Sequence, residues 1–164
     1  MNTHEQLSSF SSEDKQGKYQ STKLFDGYST CFRQWKATHS HCQFLHGYSL
    51  EFRVIFQGKL DEKNWVCDFG CFKKNGVKQF LKDTFDHTTI VSKDDPYLDY
   101  FIELDKKEVI VIRILDAVGC EYFAEFVFKQ LSLLIQQDPT IKDRVSIHSV
   151  ECIENKRNSA IYGE

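Results

Sequence analysis

An α+β domain, with a four-stranded antiparallel sheet and two helices packed on one of its faces, is the fold this sequence predicts. Two segments, His46–Gly58 and Arg144–Asn155, alternate their side chains with the period of a strand. A third, Cys120–Gln137, repeats its apolar residues at steps of three and four, as a helix does. The full order is strand, strand, helix, strand, helix, strand, which suits helices layered on an antiparallel sheet.

Residues 1–22 are dominated by Ser, Gln, Lys, Asp and Glu without an apolar period, and read as a flexible tail. Residues 23–164 read as a single domain. A first strand over Tyr28–His41 carries Cys31, Phe32 and Trp35. The short connection C-Q-F-L leads to the second strand, where His46, Tyr48, Leu50, Phe52, Val54 and Phe56 share one face. Two such strands form an antiparallel hairpin. Asp68 stands at an N-cap position before a helix ending near Phe85, with Gly76 inside it. A loop with D-D-P precedes E-V-I-V-I-R-I-L, a β-branched run expected to be a buried strand. The second helix has the stripe Phe123, Val127, Leu131 and Leu134, and D-P-T stops it. In the last strand Val145, Ile147, Ser149, Glu151 and Ile153 are expected on one side.

The bulk composition narrows function. The 164 residues are 41% hydrophobic and 14% aromatic, with 14 phenylalanines and two prolines, so an ordered aromatic core is expected. A net charge of −3 leaves no electrostatic footprint for nucleic acid. No apolar run reaches membrane-spanning length, and the N-terminus lacks a secretory pattern, so a cytoplasmic protein is expected. Its six cysteines are then thiols. Cys67 and Cys71 lack the second pair that a zinc ribbon needs.

Chemistry concentrates in A-T-H-S-H-C-Q-F-L-H-G-Y, residues 37–48. His39 and His41 on one strand and His46 and Tyr48 on the next can converge across the hairpin. Three neutral imidazoles with one open position suit a catalytic zinc ion; the alternative is a polar hairpin whose histidines meet only water. Cys42 beside them is either a thiolate base or nucleophile, or a structural cysteine. Asp86-His87 is either an oriented acid–base pair or a helix C-terminus with a dipole-facing imidazole. Glu151, placed by parity on the apolar side, is suited to the two parallel donors of a pterin or guanine edge; an exposed edge-strand glutamate is the alternative.

Together these segments resemble the 6-pyruvoyl-tetrahydropterin synthase / 6-carboxy-tetrahydropterin synthase family, over residues 28–164. The likeness is carried by W-K-A-T-H (35–39), C-Q-F-L-H-G-Y (42–48), V-C-D-F (66–69), F-D-H-T-T (85–89), G-C-E (119–121), V-E-C (150–152) and the terminal A-I-Y-G-E. The resemblance implies the T-fold (tunnelling fold) and a zinc-dependent lyase acting on 7,8-dihydroneopterin triphosphate. The 6-carboxy type, which feeds queuosine-type deazapurines, is favoured over the 6-pyruvoyl type. It also implies that Cys42 abstracts a proton, that Asp86 and His87 form the acid–base dyad, and that Glu151 anchors the pterin, with Glu121 beside it. His39 and His46 are implied as zinc ligands, in a homo-oligomer (trimer or hexamer) with pockets between subunits. The chain departs from the family pattern at Tyr48, where the third zinc ligand falls and for which His41 is the candidate replacement. It departs again in the short spacing from His39 to Cys42 and in G-C-E, which replaces P-T-x-E. A changed reaction on another pterin or purine, or a pterin- or metal-binding protein without turnover, are the competing readings.

Overall fold

The structure is a computed structural model that describes residues 19–163. Its six strands are β1 (Tyr19–Phe32), β2 (His46–Gly58), β3 (Thr88–Ser92), β4 (Ile112–Leu115), β5 (Val145–Asn155) and β6 (Asn158–Gly163). The helices are α1 (Val77–Phe85), α2 (Leu98–Lys106) and α3 (Cys120–Gln137). All six strands form one sheet in the order β4-β3-β1-β2-β5-β6. The expected four-stranded antiparallel sheet with two helices is therefore corrected to a mixed six-stranded sheet with three helices. β1 runs parallel to β3, and β3 to β4, while β1–β2, β2–β5 and β5–β6 are antiparallel.

β1 begins earlier and ends sooner than expected. Residues 19–22, assigned to the tail, pair with Ile55–Gly58, because the strand continues along the full length of β2. The rest of the expected tail, residues 1–18, lies outside the described residues. At its other end the strand stops at Phe32 rather than His41. Turns close there instead: the Ala37 amide donates to the Gln34 carbonyl, and the Ser40 amide to that of Ala37, each at 2.9 Å. A 3₁₀ turn over His41–Gln43 follows, with the Ser40 hydroxyl accepting from the Cys42 amide. His39 and His41 therefore do not share a strand face.

Asp68 does cap a turn, accepting from the Gly70 amide at 2.8 Å. That turn is a separate 3₁₀ piece over Phe69–Lys73, and Gly76, at φ +86°, breaks the chain before α1 starts. The run 108–115, expected to be buried, supplies only the short β4 at the sheet edge, half-exposed. α3 has the bounds and the apolar stripe expected, with Phe123, Val127 and Leu131 buried, although Ile135 replaces Leu134 as the fully buried residue of the last turn.

The core lies between α1, α3 and one sheet face. Phe32, Phe52, Phe56, Phe72, Phe85 and Phe123 are all fully buried. Their rings meet edge-on or tilted, as in Phe32–Phe123 (5.0 Å between centroids, 86°) and Phe52–Phe85 (4.7 Å, 48°). Among the described residues no helix is long and apolar enough to cross a membrane.

Candidate active site

A cluster of reactive side chains forms where β1, β2 and β5 reach the N-terminus of α3. Cys42 sits half-buried in its 3₁₀ turn, with its amide on the Ser40 hydroxyl (3.2 Å) and its carbonyl accepting from the Gln34 amide (2.8 Å). The Tyr48 ring stacks on Phe32 (4.0 Å, 9°) and leans on His46 (4.5 Å, 37°). Burial first, then the charges of Glu154, Cys42 and Cys120, push the Tyr48 phenol well above its ordinary value, so it stays neutral. Cys152 is fully buried. Its thiol is driven strongly upward by the neighbouring Cys120 thiol, by burial, and by the Glu121 and Glu154 carboxylates. Cys42, Cys120 and Glu154 thus act on Tyr48, and Cys120, Glu121 and Glu154 on Cys152. Glu121 lies in the first turn of α3, where a carboxylate complements the helix dipole.

Glu154 is the residue the sequence reading missed. Strict alternation puts Glu151 beside Val145 and Ile147, but β5 carries a bulge: Ile147 pairs with Phe56 and Ser149 with Ile55, leaving His148 unpaired. One extra residue inverts the faces, so Val150 and Cys152 are buried. Glu151 is corrected to the opposite face, where it binds the Arg53 guanidinium and accepts from the Ser159 hydroxyl at 2.6 Å. The one available signal for Glu154 was its place two residues after Cys152.

Asp86 and His87 do form a pair, with 2.8 Å between Asp86 Oδ1 and His87 Nδ1. An Nδ1–H donated to the carboxylate leaves Nε2 free as a base. The imidazole is 84% exposed and the carboxylate 21%. His87 takes the left-handed backbone region (φ 56°) and donates its amide to the Ser29 carbonyl at 2.6 Å. Ser29 lies three residues before the end of β1, about 10 Å at strand rise, and Cys42 lies beyond that end. Among the described residues no hydrogen bond joins the dyad to Cys42.

Among the described residues no three His, Cys, Asp or Glu side chains come close enough together to hold a metal ion. Of His39, His41 and His46, the last has its Nδ1 2.8 Å from the Phe44 carbonyl, which leaves Nε2 as a lone-pair donor. His39 and His41 are exposed on the preceding turn, and neutral Tyr48 is a weak ligand. In this arrangement His39, His41 and His46 do not make a three-ligand zinc site.

Beside the cluster, a crevice of about 270 Å³ opens where the parallel strands β1, β3 and β4 end, lined by Gln34, Trp35, Asp94, Asp116 and Val118 among others. Asp94 accepts from the Ser92 hydroxyl (2.6 Å), the Trp35 indole (3.1 Å) and Lys36. Lys36 first, then Ser92 and Trp35, hold its carboxyl far below the usual carboxylate range. Gly119 marks the border between crevice and cluster. Its φ of +121° disfavours L side chains, and an added Cβ would stand 2.5 Å from Gln34 Nε2. Gly119→Ala is expected to lower unfolding free energy by about 1–3 kcal/mol, readable in urea denaturation; an unchanged midpoint would contradict that strain.

A family model described as 6-pyruvoyl tetrahydropterin synthase matches residues 22–164. A 6-carboxy-5,6,7,8-tetrahydropterin synthase of Rickettsia felis is 36% identical over 63 residues, 38% of this chain and 45% of that protein. The same identity and coverage hold for the enzyme of that name in Rickettsia conorii. The alignment thus spans less than half the length of these curated relatives. In fold, the chain is similar to an uncharacterized protein of Wolinella succinogenes (TM-score 0.75, 20% identity, 90% of this chain and 98% of that one). It is also similar to 6-pyruvoyl tetrahydropterin synthase of Caenorhabditis elegans (TM-score 0.61, 19% identity, 90% and 96%). Read with the cluster around Cys42 and the Asp86–His87 pair, the match over residues 22–164 places this chain in the 6-pyruvoyl tetrahydropterin synthase family.

Proposed function

We propose that the protein is a lyase that acts on 7,8-dihydroneopterin triphosphate, of the 6-carboxy-tetrahydropterin synthase type. The observation that carries the reading is the family match over residues 22–164, together with a half-buried thiol, Cys42, on the turn before β2 and with the carboxylates Glu121, in the first turn of α3, and Glu154, whose charge acts on Tyr48 and Cys152. A carboxylate with both oxygens free matches the two parallel N–H donors of a pterin's amidine edge. Glu154 takes that role in place of Glu151, whose oxygens are occupied by Arg53 and Ser159. Cys42 as thiolate removes a proton from the substrate side chain, and His87, oriented by Asp86, moves protons at the neighbouring oxygen. The two Rickettsia relatives carry the 6-carboxy name, which supports that product over the 6-pyruvoyl one.

The separation of Cys42 from the Asp86–His87 dyad supports a homo-oligomer whose sites combine two subunits, a trimer or a hexamer. Among the described residues, the strand edges open to that assembly include β6 and the first half of β1, which pairs with β2 alone. Ile161 on β6 is 69% exposed and Tyr19 and Leu24 on β1 are also exposed, as expected of surfaces that another copy covers.

Zinc is supported by the family, whose members generally depend on it, and by the free Nε2 of His46. His39 and His41 would join His46 only by a movement of their turn, so no step above passes through a metal. When bound, zinc would polarise the substrate oxygen beside the labile proton. About one zinc per purified chain, lost in His46→Ala, is the result expected from elemental analysis; active protein devoid of metal would remove zinc from the proposal.

Incubation with 7,8-dihydroneopterin triphosphate tests the reaction. Release of triphosphate together with a two-carbon aldehyde is expected. Triphosphate without aldehyde would indicate the 6-pyruvoyl product instead. Tight pterin binding without turnover would indicate a binding protein and end the lyase reading.

A further inference from the structure

Arg33 is the first residue after β1, and its guanidinium is held by Asp95 through two parallel bonds, Nε to Oδ2 and Nη2 to Oδ1, each 2.8 Å. The Asp95 carboxylate is 1% exposed. Its Oδ1 also accepts the Tyr97 amide at 2.8 Å, and the guanidinium lies 5.1 Å from the centre of the Tyr97 ring. The remaining nitrogen, Nη1, donates to the Gln43 carbonyl at 3.3 Å. The next residue along, Gln34, donates its amide to the Cys42 carbonyl at 2.8 Å. Consecutive residues 33 and 34 therefore grip the consecutive carbonyls of residues 43 and 42.

A buried ion pair is weak evidence for stability, since an apolar pair of similar volume often serves as well. What an apolar pair cannot do is aim a further donor. The fork of a guanidinium does this: two of its nitrogens locked on a carboxylate leave the third pointing in a fixed direction, a geometry that lysine lacks. Here the fixed direction is toward the turn that carries the thiol.

We propose that the buried Arg33–Asp95 pair is a positioning device for Cys42, anchoring its turn to the loop after β3 so that the thiol is held in reacting geometry. The proposal rests on the reading of Cys42 as the reacting thiol. Arg33 and Asp95 act through the turn and touch no substrate. Misplacement of a reacting group by about 1 Å can cost on the order of 10²-fold in rate, so the pair belongs to catalysis more than to folding.

The test uses the full-length protein with Arg33→Lys, and with the double variant Arg33→Met/Asp95→Leu, which leaves no unpaired charge if the single change disturbs folding. Turnover of 7,8-dihydroneopterin triphosphate is measured as kcat and KM separately. In parallel, the rate of Cys42 modification by iodoacetamide at one fixed pH is read by mass spectrometry, with the other five cysteines as internal controls. The expected result is a kcat lower by about 10–100-fold, KM within about threefold, and Cys42 modified several-fold faster while the controls hold their rates. An unchanged kcat with an unchanged Cys42 rate would overturn the proposal. A uniform rise at all six cysteines would overturn it too, since that is the signature of a general loss of structure. If wild-type protein shows no turnover, the lyase reading fails, and the alkylation arm still decides whether the pair holds the turn.

Discussion

Cys42→Ala is expected to reduce kcat on 7,8-dihydroneopterin triphosphate by about 10²–10⁴-fold, the largest single-residue effect in the protein. On the proposed mechanism, removal of the thiol takes away the base and little else. The backbone of the turn is held from outside the side chain, by the Ser40 hydroxyl on the Cys42 amide and by the Gln34 amide on its carbonyl. The variant should therefore fold and bind pterin as the parent does, through Glu154 and Glu121. Pterin binding can be followed by fluorescence titration and turnover by release of triphosphate. Cys42→Ala with more than about a tenth of parental kcat would be incompatible with a proton-abstracting thiol. Equal loss of binding and turnover would reassign Cys42 to the structure of the pocket.

Mixed oligomers give the second large effect. His87→Ala alone, like Cys42→Ala alone, is expected to lose most of its activity. Equal amounts of the two variants, unfolded together and refolded, should recover about a quarter of parental activity, the random fraction of sites with both groups intact when the groups come from different subunits. The structural basis is the placement of the dyad. His87 is tied to Ser29 in the body of β1, whereas Cys42 lies past the end of that strand, and the imidazole points out, 84% exposed. An exposed imidazole, oriented by Asp86 and joined to Cys42 by no hydrogen bond among the described residues, is what a site completed by a second copy requires. No recovery after verified co-assembly would place both groups in one subunit's site, or remove the dyad from catalysis.

Much of the outcome was written in local pattern. β2 and α3 have the bounds their periods predicted, since each buries one clean face: Leu50, Phe52, Val54 and Phe56 on the strand, Phe123, Val127 and Leu131 on the helix. The Asp86–His87 contact was also legible, because adjacent residues at a chain reversal are held together by the chain itself. β3 was not legible, since all five of its residues are buried and T-T-I-V-S shows no alternation. α2 was missed for the opposite reason: it has no buried residue, so no apolar stripe marks it strongly.

What the sequence determined by itself, then, is composition, the aromatic core, the two elements with one-sided burial, and which reactive residues are present near residue 42. What only the tertiary structure decided is where those residues face and what they meet. A single bulge at His148 turned Glu151 outward and Val150 and Cys152 inward, and local periodicity cannot register one extra residue in a strand. The loop that ends β1 at Phe32 separated His39 and His41 from the strand face they were expected to share. The partner of Arg33 lies 62 residues away in a segment that read only as a loop, and such a pairing exists only once β1 and β3 lie side by side. Contacts between distant parts of the chain are set by sheet order and register, and neither is encoded in any one segment.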